Sequence, residues 1–232
     1  MPIKAVIFDL DGTIASFNLD YRTVRGLVKG YLTKRGVPSS LVSLDDSVFE
    51  MLRKTEAWAK DSGKSSEFVD ELRREALTTT ESYEVEAAST TKLMPGVVDA
   101  LKALKEMGLK IGLCTINSEK SVNRILERFG IEGSFDVTVP RNRVRHVKPD
   151  PEHLEVALRA LEVSPQETLV VGDSRVDMQT GKALGAIAVG LPTGVATLEQ
   201  LMSSGADYVV TSMSDVPTLA KKMNEDSCYS ST

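Results

Sequence analysis

Two acidic residues follow an apolar segment near the start of the chain. Residues 4–13 read KAVIFDLDGT, so Asp9 and Asp11 come directly after four apolar residues. Side chains two positions apart on extended backbone lie on the same side. Two carboxylates about 4 Å apart repel by roughly 4 kcal/mol at an effective dielectric constant near 20. A cation or a proton is therefore expected to accompany this pair.

Other polar residues stand at the ends of later apolar segments. Thr115 ends the segment 110–115, Asp173 ends the segment 168–173, and Asp177 follows one helical turn later. Lys148 lies in the loop after the predicted third strand. Because ligands bind outside the carboxyl ends of the strands in open α/β sheets, these side chains are expected to converge on one edge of the sheet.

The chemistry of such a cluster suits a phosphoryl group. Carboxylate oxygens are ligands that Mg²⁺ accepts, and Lys148 adds a further positive charge. Asp9 can attack phosphorus and form an aspartyl-phosphate. Asp11 can protonate the leaving oxygen and then activate water. Thr115 precedes a predicted helix, whose exposed N–H groups favour an anion.

Strands and helices alternate through most of the chain. The strands are predicted within residues 1–16 and at 110–115, 135–139, 168–173, 186–191 and 208–211. The helices between and after them are predicted after Pro95 and at about 118–129, 151–161, 176–184, 197–203 and 216–223, before a polar and frayed end. Apolar strands that alternate with helices indicate an α/β fold, a doubly wound parallel sheet covered on both faces.

A helical segment interrupts this alternation directly after the first strand. Helices are predicted after Asp20, Ser43 and Ser66, and residues 78–92 read as a helix end and linker. The domains are therefore predicted as a core of residues 1–16 and 91–232 and an inserted cap of residues 17–90. The connections at 16–19 and 89–92 are the predicted hinges. A cap attached beside the acidic loop is expected to cover the site and to select the substrate.

Composition sets limits on partners and location. The formal net charge of the 232 residues is −5, which argues against a nucleic-acid partner. Two cysteines do not form a disulfide framework, so a reducing, cytoplasmic location is expected. Neither a signal peptide nor a membrane span is expected. The basic run of Arg141, Arg143, Arg145 and His146 is interpreted as a solvated loop.

These residues resemble the four motifs of the haloacid dehalogenase-like (HAD) hydrolase superfamily. DLDGT at 9–13 resembles the first motif, and Thr115 at the end of an apolar strand resembles the second. Lys148 in VKPDP resembles the third, and GDSRVD at 172–177 resembles the fourth. The inserted helices are similar to the cap of the phosphoglycolate phosphatase and β-phosphoglucomutase-like branch.

The resemblance implies a Rossmann-like core and a Mg²⁺-dependent phosphatase acting on a small phosphorylated substrate, such as phosphoglycolate or a sugar phosphate. It implies that Asp9 is the nucleophile and Asp11 the acid and base. The metal ligands that it implies are the Asp9 side chain, the Asp11 backbone carbonyl and Asp173, with Asp177 in support. Thr115 and Lys148 are implied phosphate contacts. Asn117 is a candidate substrate-binding residue, although Ile116 separates it from Thr115, where relatives often have asparagine directly after the threonine.

Three alternative functions remain. A phosphomutase of the same fold would return the phosphoryl group to its product. A dehalogenase is disfavoured, because that branch does not keep the second aspartate of the first motif. A phosphoacceptor signalling module of the response-regulator kind is about half as long and has adjacent acidic residues before a later acceptor. The oligomeric state is not indicated by the sequence.

Overall fold

The computed structural model describes residues 1–16, 19–194 and 196–229, without the side chains of Cys228 and Tyr229. The chain divides into two compact units, which we call the core unit (Met1–Phe17 with Thr91–Thr232) and the inserted unit (Asn18–Thr90). Part of the predicted hinge at 16–19, namely Phe17 and Asn18, lies outside the described residues. The functional assignment of the units as catalytic core and cap stays a prediction.

The core unit contains a parallel sheet of six strands in the described residues, in the order β3-β2-β1-β4-β5-β6. The strands are β1 Ala5–Phe8, β2 Lys110–Thr115, β3 Val137–Pro140, β4 Thr168–Gly172, β5 Ile187–Gly190 and β6 Tyr208–Val209. In the centre of the sheet β1 pairs with β2 and with β4, and Phe8 lies opposite Leu113 of β2 and Val171 of β4. The predicted fold class, an α/β doubly wound parallel sheet, is confirmed.

Helices connect the strands of the core unit. They are α4 Val97–Glu106, α5 Glu119–Phe129, α6 Pro151–Leu161, α7 Arg175–Leu184, α8 Leu198–Ser203 and α9 Asp215–Tyr229. Helix α6 packs on β2 and β3, and α7 packs on β4 and β5. Ala5 and Ile7 lie in one buried cluster with Leu154 and Leu158 of α6. Because side chains alternate along a strand, Asp9 continues the face of Ile7 toward this cluster.

The inserted unit is helical, with α1 Tyr21–Lys34, α2 Val48–Asp61 and α3 Ser66–Ala87. Asp20 caps α1 as predicted, since its carboxylate accepts a hydrogen bond from the Thr23 N–H at 3.0 Å. The three helices bury one apolar cluster, in which Val28, Met51 and Leu72 are almost fully inaccessible.

Two helix boundaries of the inserted unit differ from the prediction. Helix α2 begins after Ser47 rather than after Ser43, because the Ser47 hydroxyl caps the helix and Ser43 belongs to a preceding turn. Helix α3 continues to Ala87, so most of the segment 78–92, read as a helix end and linker, is helix and only its last residues are linker. Its last buried positions hold Thr80 and Glu84, so the helical spacing continues while the apolar pattern ends.

The C-terminal prediction was also wrong. Helix α9 runs to Tyr229, whereas a helix at 216–223 followed by a frayed end at 224–232 was expected. Residues 230–232 of that expected end lie outside the described residues. The Asn224 side chain accepts a hydrogen bond from the Ile3 N–H at 2.5 Å and donates one to the Ile3 carbonyl at 3.2 Å. This polar pairing joins the second half of the helix to the segment before β1, and an apolar periodicity does not reveal it. Two strand boundaries also differ from the prediction. Strand β3 begins two residues later than the expected segment 135–139, and β6 ends two residues earlier than the expected segment 208–211.

Among the described residues, we find no helix that combines the length and the apolar character needed to cross a membrane.

Candidate active site

The site lies at the carboxyl ends of β1 and β4, where the order of strands in the sheet reverses. Asp9 directly follows β1, and its N–H donates to the Val171 carbonyl of β4 at 2.9 Å. Asp173 directly follows β4 and is 2% exposed. The crevice at such a reversal is where doubly wound sheets bind ligands. The sequence-predicted residues Asp9 and Asp173 therefore lie side by side.

Lys148 joins two of the carboxylates. Its ammonium donates to Asp9 Oδ1 at 2.8 Å, to Asp177 Oδ1 at 2.6 Å and to the Cys114 carbonyl at 2.8 Å. An ammonium has three N–H donors, so these three acceptors match its full capacity. In this arrangement Lys148 offsets part of the negative charge of the acidic cluster, and its predicted contact with phosphate stays a prediction.

Burial governs the electrostatics of this group. It raises the pKa of the Asp9 carboxyl to about 6, against the opposing effect of the Lys148 ammonium. Burial alone would lower the pKa of Lys148, but the carboxylates of Asp177 and Asp9 hold it above its ordinary value. The lysine is therefore charged, and Asp9 keeps its proton to a higher pH than an exposed aspartate does.

Asp177 is fixed through both of its carboxylate oxygens. Oδ1 accepts from Lys148, and Oδ2 accepts from the Ser174 N–H at 3.2 Å and from the Ser174 hydroxyl at 2.5 Å. Ser174 and Asp177 form a capping box at the start of α7. Asp177 thus supports Lys148, and its predicted ligation of a metal would require it to share an oxygen that already accepts hydrogen bonds.

Asp173 is enclosed by two glycines. A Cβ atom at Gly12 would lie 2.5 Å from Asp173 Oδ2, and one at Gly194 would lie 1.8 Å from the same oxygen. Gly12 also has a φ of +77°, which other residues rarely adopt. The Thr193 hydroxyl donates to the Gly12 carbonyl at 2.5 Å, so the loop after β5 fixes the turn of the first motif.

The donor set fits a divalent cation. Asp9, Asp173 and Asp177 each offer a carboxylate oxygen within 4.8 Å of the others. Three carboxylates and the Lys148 ammonium leave an excess of negative charge in a buried place, which a cation would compensate. The side chain of Asp11 is not part of this set.

The side chain of Asp11 contacts Asn117 instead. Asn117 Nδ2 donates to Asp11 Oδ2 at 2.9 Å. Thr115 ends β2, and its hydroxyl accepts the Asn117 N–H at 3.2 Å. The structure thus brings the Thr115 segment to the acidic loop. The roles of Thr115 and Asn117 in substrate binding stay predictions.

The interpretation of the basic run as a solvated loop is wrong for its first residue. Arg141 is only 6% exposed, and it donates to the Ile116 carbonyl at 3.1 Å. Arg143 is exposed and pairs with Glu119. His146 is exposed and pairs with Glu152. The sequence of a loop has no regular spacing that would show which of its side chains faces the interior and which face solvent.

Sequence comparison decides the family. The haloacid dehalogenase-like hydrolase family matches this chain over residues 3–185. The chain belongs to the HAD-like hydrolases. The predicted family and the prediction that the chain is an enzyme of this hydrolase class are thereby confirmed.

Individual relatives span nearly the whole HAD-like chain. Phosphoglycolate phosphatase of Nitrosospira multiformis is 28% identical over 224 residues, which cover 96% of this chain and 97% of that protein. Pyrophosphatase PpaX of Bacillus mycoides is 29% identical over 228 residues, covering 97% and 100%. The crystal structure of β-phosphoglucomutase from Clostridium difficile has a TM-score of 0.67 at 25% identity and covers 96% of this chain and 98% of that chain. These three names denote different reactions, so similarity alone does not select a substrate.

Two supporting residues of this HAD-like site were missed in the sequence. His153 is fully buried, and its Nδ1 accepts the Lys148 N–H at 3.2 Å while Nε2 lies 3.0 Å from the Val139 carbonyl. Burial lowers its pKa to about 4, so the neutral ring ties the Lys148 loop to β3. No pattern in the sequence indicates this contact. Thr193 could have been found, because it follows β5 at the same edge of the sheet.

Proposed function

We propose that the chain is a Mg²⁺-dependent phosphatase that hydrolyses a small organic phosphate monoester through an aspartyl-phosphate on Asp9. One observation carries the proposal. Lys148 bridges Asp9 and Asp177, and each of these carboxylates offers an oxygen within 4.8 Å of one from Asp173, which forms a buried cluster at the end of β1 that could hold a cation. With Mg²⁺ bound, the cation and the Lys148 ammonium would together favour the transfer of a phosphoryl group, which carries negative charge to the site.

The first step uses Asp9 and Asp11. A carboxylate oxygen of Asp9 forms a bond to phosphorus, and the bond from phosphorus to the ester oxygen breaks. The electron pair of that bond stays on the ester oxygen, which takes a proton from Asp11 and leaves as an alcohol. Burial of Asp9 beside Lys148 keeps the nucleophile desolvated and oriented.

The second step restores the enzyme. Asp11, now a carboxylate, takes a proton from a water molecule, and the resulting hydroxide oxygen bonds to phosphorus. The bond between phosphorus and the Asp9 oxygen breaks, which yields inorganic phosphate and the free Asp9 carboxylate. Lys148 stays bonded to the Asp9 carboxyl group and stabilises its returning charge.

Asp9 and Asp173 are the proposed side-chain ligands of Mg²⁺, with the Asp11 backbone carbonyl, and Asp177 supports them through Lys148. When bound, the cation would offset the charge of the carboxylates and of the phosphoryl oxygens.

The inserted unit is the proposed selector of the substrate. In the core unit the Ser16 N–H donates to the Lys92 carbonyl at 2.7 Å, and the Lys92 N–H donates to the Ser16 hydroxyl at 2.9 Å. Ala15 also forms an antiparallel bridge with Leu93. The chain thus leaves the core unit a few residues after Asp11 and re-enters it beside the point of exit. Residues inserted there can recognise the organic part of a substrate.

A substrate panel tests the proposal. The purified protein is incubated with phosphoglycolate, sugar phosphates, nucleotides and pyrophosphate, with Mg²⁺ or with EDTA, and inorganic phosphate is measured. We expect release from at least one small organic phosphate that vanishes in EDTA and returns with Mg²⁺. Pyrophosphate is included because a relative of nearly the same length is named a pyrophosphatase.

The outcomes separate the alternatives. Isomerisation of a sugar phosphate without net phosphate release would replace the proposal with a phosphomutase. Release that persists in EDTA would remove the metal from it. A stable phosphorylated protein with no turnover of any substrate would favour a phosphoacceptor module.

A further inference from the structure

A chain of hydrogen bonds connects the loop after β3 to the acid and base residue. Asn117 Nδ2 donates to Asp11 Oδ2 at 2.9 Å. The Asn117 carbonyl accepts the N–H of Arg141 at 3.1 Å, and Arg141 Nη1 donates to the Ile116 carbonyl at 3.1 Å. Asn117 and Arg141 are 4% and 6% exposed. None of these three hydrogen bonds belongs to the ladder of the sheet or to the repeat of a helix, so they hold a segment that regular structure does not.

The backbone of residues 115–117 is therefore fixed from two sides. The Thr115 hydroxyl accepts the Asn117 N–H at 3.2 Å on one side. The main chain and the guanidinium of Arg141 bind the carbonyls of Asn117 and Ile116 on the other. The backbone N–H and the backbone carbonyl of Asn117 are thus both hydrogen-bonded. The Asn117 side chain therefore has little freedom to move away from Asp11.

We propose that Asn117 is a positioning residue that orients the carboxyl group of Asp11 for proton transfer, and that Arg141 fixes Asn117 in that position. This inference rests on the proposed function. Asp11 stands in the turn after β1 rather than in the strand ladder, so the sheet does not fix its side chain. Proton transfer requires the donor oxygen within about 2.6–3.2 Å of the leaving oxygen, and a small rotation of the carboxyl group loses that geometry.

A matched pair of substrates isolates this role. Phenyl phosphate and 4-nitrophenyl phosphate have nearly the same size, but phenolate is a much poorer leaving group than 4-nitrophenolate. Protonation of the leaving oxygen therefore matters more for phenyl phosphate. The ratio of the two kcat/KM values reports on Asp11 as an acid, because kcat/KM covers the steps up to the first bond cleavage. The ratio also cancels the fraction of folded enzyme in a preparation, so a loss of stability does not change it.

The variants are Asn117→Leu, which keeps the size and removes the donor, and Asn117→Ala as a smaller replacement. Arg141→Met removes the guanidinium and keeps the backbone N–H. Asn142→Ala is the matched control, since Asn142 lies in the same loop but its side chain accepts from the Glu119 N–H. All are assayed with Mg²⁺, and their folding is checked by circular dichroism and thermal melting.

For Asn117→Leu we expect kcat/KM to fall about tenfold or more further for phenyl phosphate than for 4-nitrophenyl phosphate, a part of the 10²–10⁴-fold effect of general acid catalysis. Arg141→Met is expected to give a smaller change of the same kind, and Asn142→Ala none. Arg141→Met added to Asn117→Leu should change the ratio no further, because Arg141 acts through Asn117.

An equal loss for both esters in every folded Asn117 variant overturns the inference while leaving the phosphatase proposal intact. An additive effect of Arg141→Met in the double variant overturns its second half. If the wild type hydrolyses neither ester nor any member of the substrate panel, the proposed function fails and this inference fails with it.

Discussion

The core unit and the inserted unit differ in the burial of their charged side chains. The core unit buries Lys148, Asp173 and Asp177 together, beside the carboxyl ends of β1 and β4. The inserted unit buries an apolar cluster, and its ion pairs remain partly exposed, as in Arg35–Glu71. Among the described residues of the inserted unit, Glu84 is the one buried charged residue.

This difference has a physical meaning. Buried charges cost free energy of desolvation, and replacing them with apolar residues would often stabilise a protein. Their burial in the core unit supports the proposal that they serve chemistry rather than stability. The inserted unit, which keeps its charges near water, has the ordinary construction of a stable helical unit. Substitutions in the two units should therefore have effects of different kinds.

Asp9→Asn is the most severe test of the chemical role of the core unit. Amide nitrogen and oxygen cannot form the aspartyl-phosphate, so turnover should fall by roughly 10⁴-fold or more, as for other lost nucleophiles. Phosphate release under saturating Mg²⁺ measures the effect, and the exposed Asp99→Asn is the control, which should retain full activity. A folded Asp9→Asn protein with near-normal hydrolysis would remove Asp9 as nucleophile.

Removal of the inserted unit tests the division of labour directly. Ser16 and Lys92 are joined by two hydrogen bonds, one between backbone groups and one from the Lys92 N–H to the Ser16 hydroxyl, so a short glycine-serine linker can replace the residues between them. We expect kcat/KM for the best organic phosphate to fall by roughly 100-fold, because binding energy from the non-reacting part of the substrate is lost. For 4-nitrophenyl phosphate we expect kcat/KM to fall by about tenfold or less, because less of its binding energy comes from contacts between the inserted unit and its non-reacting part.

Both values are to be measured on truncated protein that shows a cooperative thermal transition. An equal fall for the two substrates would mean that the inserted unit contributes to catalysis itself, and the contrast between the units would then be wrong.

The metal should have a smaller but pH-dependent effect on stability. In the metal-free protein burial raises the pKa of Asp9 to about 6 from 3.8, so the folded state binds the extra proton and loses stability as pH rises through this window. Mg²⁺ competes with that proton. We expect Mg²⁺ to raise the melting temperature by several degrees at pH 7, at roughly 2–4 °C per kcal/mol, and by less at pH 5.

Asp173→Asn serves as the comparison for the metal effect, since it removes a proposed ligand without touching Lys148. Its melting temperature should respond weakly to Mg²⁺ at both pH values. A wild-type shift of the same size at pH 5 and pH 7 would contradict the proposed competition.

The parts predicted from the sequence are those that local patterns determine. Apolar strands that end in Asp9, Thr115 or Asp173 were recognised because each pattern lies within a few residues. The parts that were missed depend on contacts between distant segments, such as that of His153 with the Lys148 loop and that of Asn224 with Ile3, before the first strand. Polar side chains have many possible partners, and only the folded chain selects one.

The same limit explains the errors at helix boundaries. In α3 the buried positions change from Leu72 and Ala76 to Thr80 and Glu84, so hydrophobic periodicity ends before the helix does. Arg141 was interpreted as solvated together with its basic neighbours for a similar reason, because the direction of a loop side chain is set by tertiary contacts.

The smallest expected effect concerns an ion pair of the inserted unit. Lys54 Nζ lies 2.8 Å from both carboxylate oxygens of Asp46, and Asp46 also accepts the Ser43 N–H at 2.8 Å. The Asp46 side chain is 14% exposed and that of Lys54 is 33% exposed. Asp46→Asn should leave kcat/KM unchanged and lower the free energy of unfolding by about 1 kcal/mol at pH 7, the upper part of the range for partly exposed pairs.

The pH dependence of that loss identifies its origin. Hydrogen bonds from Lys54 and from the Ser43 backbone lower the pKa of Asp46 in the folded protein. A depressed folded pKa contributes stability above the unfolded value of 3.8, and this contribution disappears as pH falls through the folded pKa. Urea denaturation should therefore show the full difference between wild type and Asp46→Asn at pH 6–7 and a shrinking difference toward pH 3. Asp45→Asn, one residue away and without a lysine partner among the described contacts, should show a smaller difference. A loss of activity in Asp46→Asn comparable to that of a core-unit variant would contradict the separation of chemistry and stability between the two units.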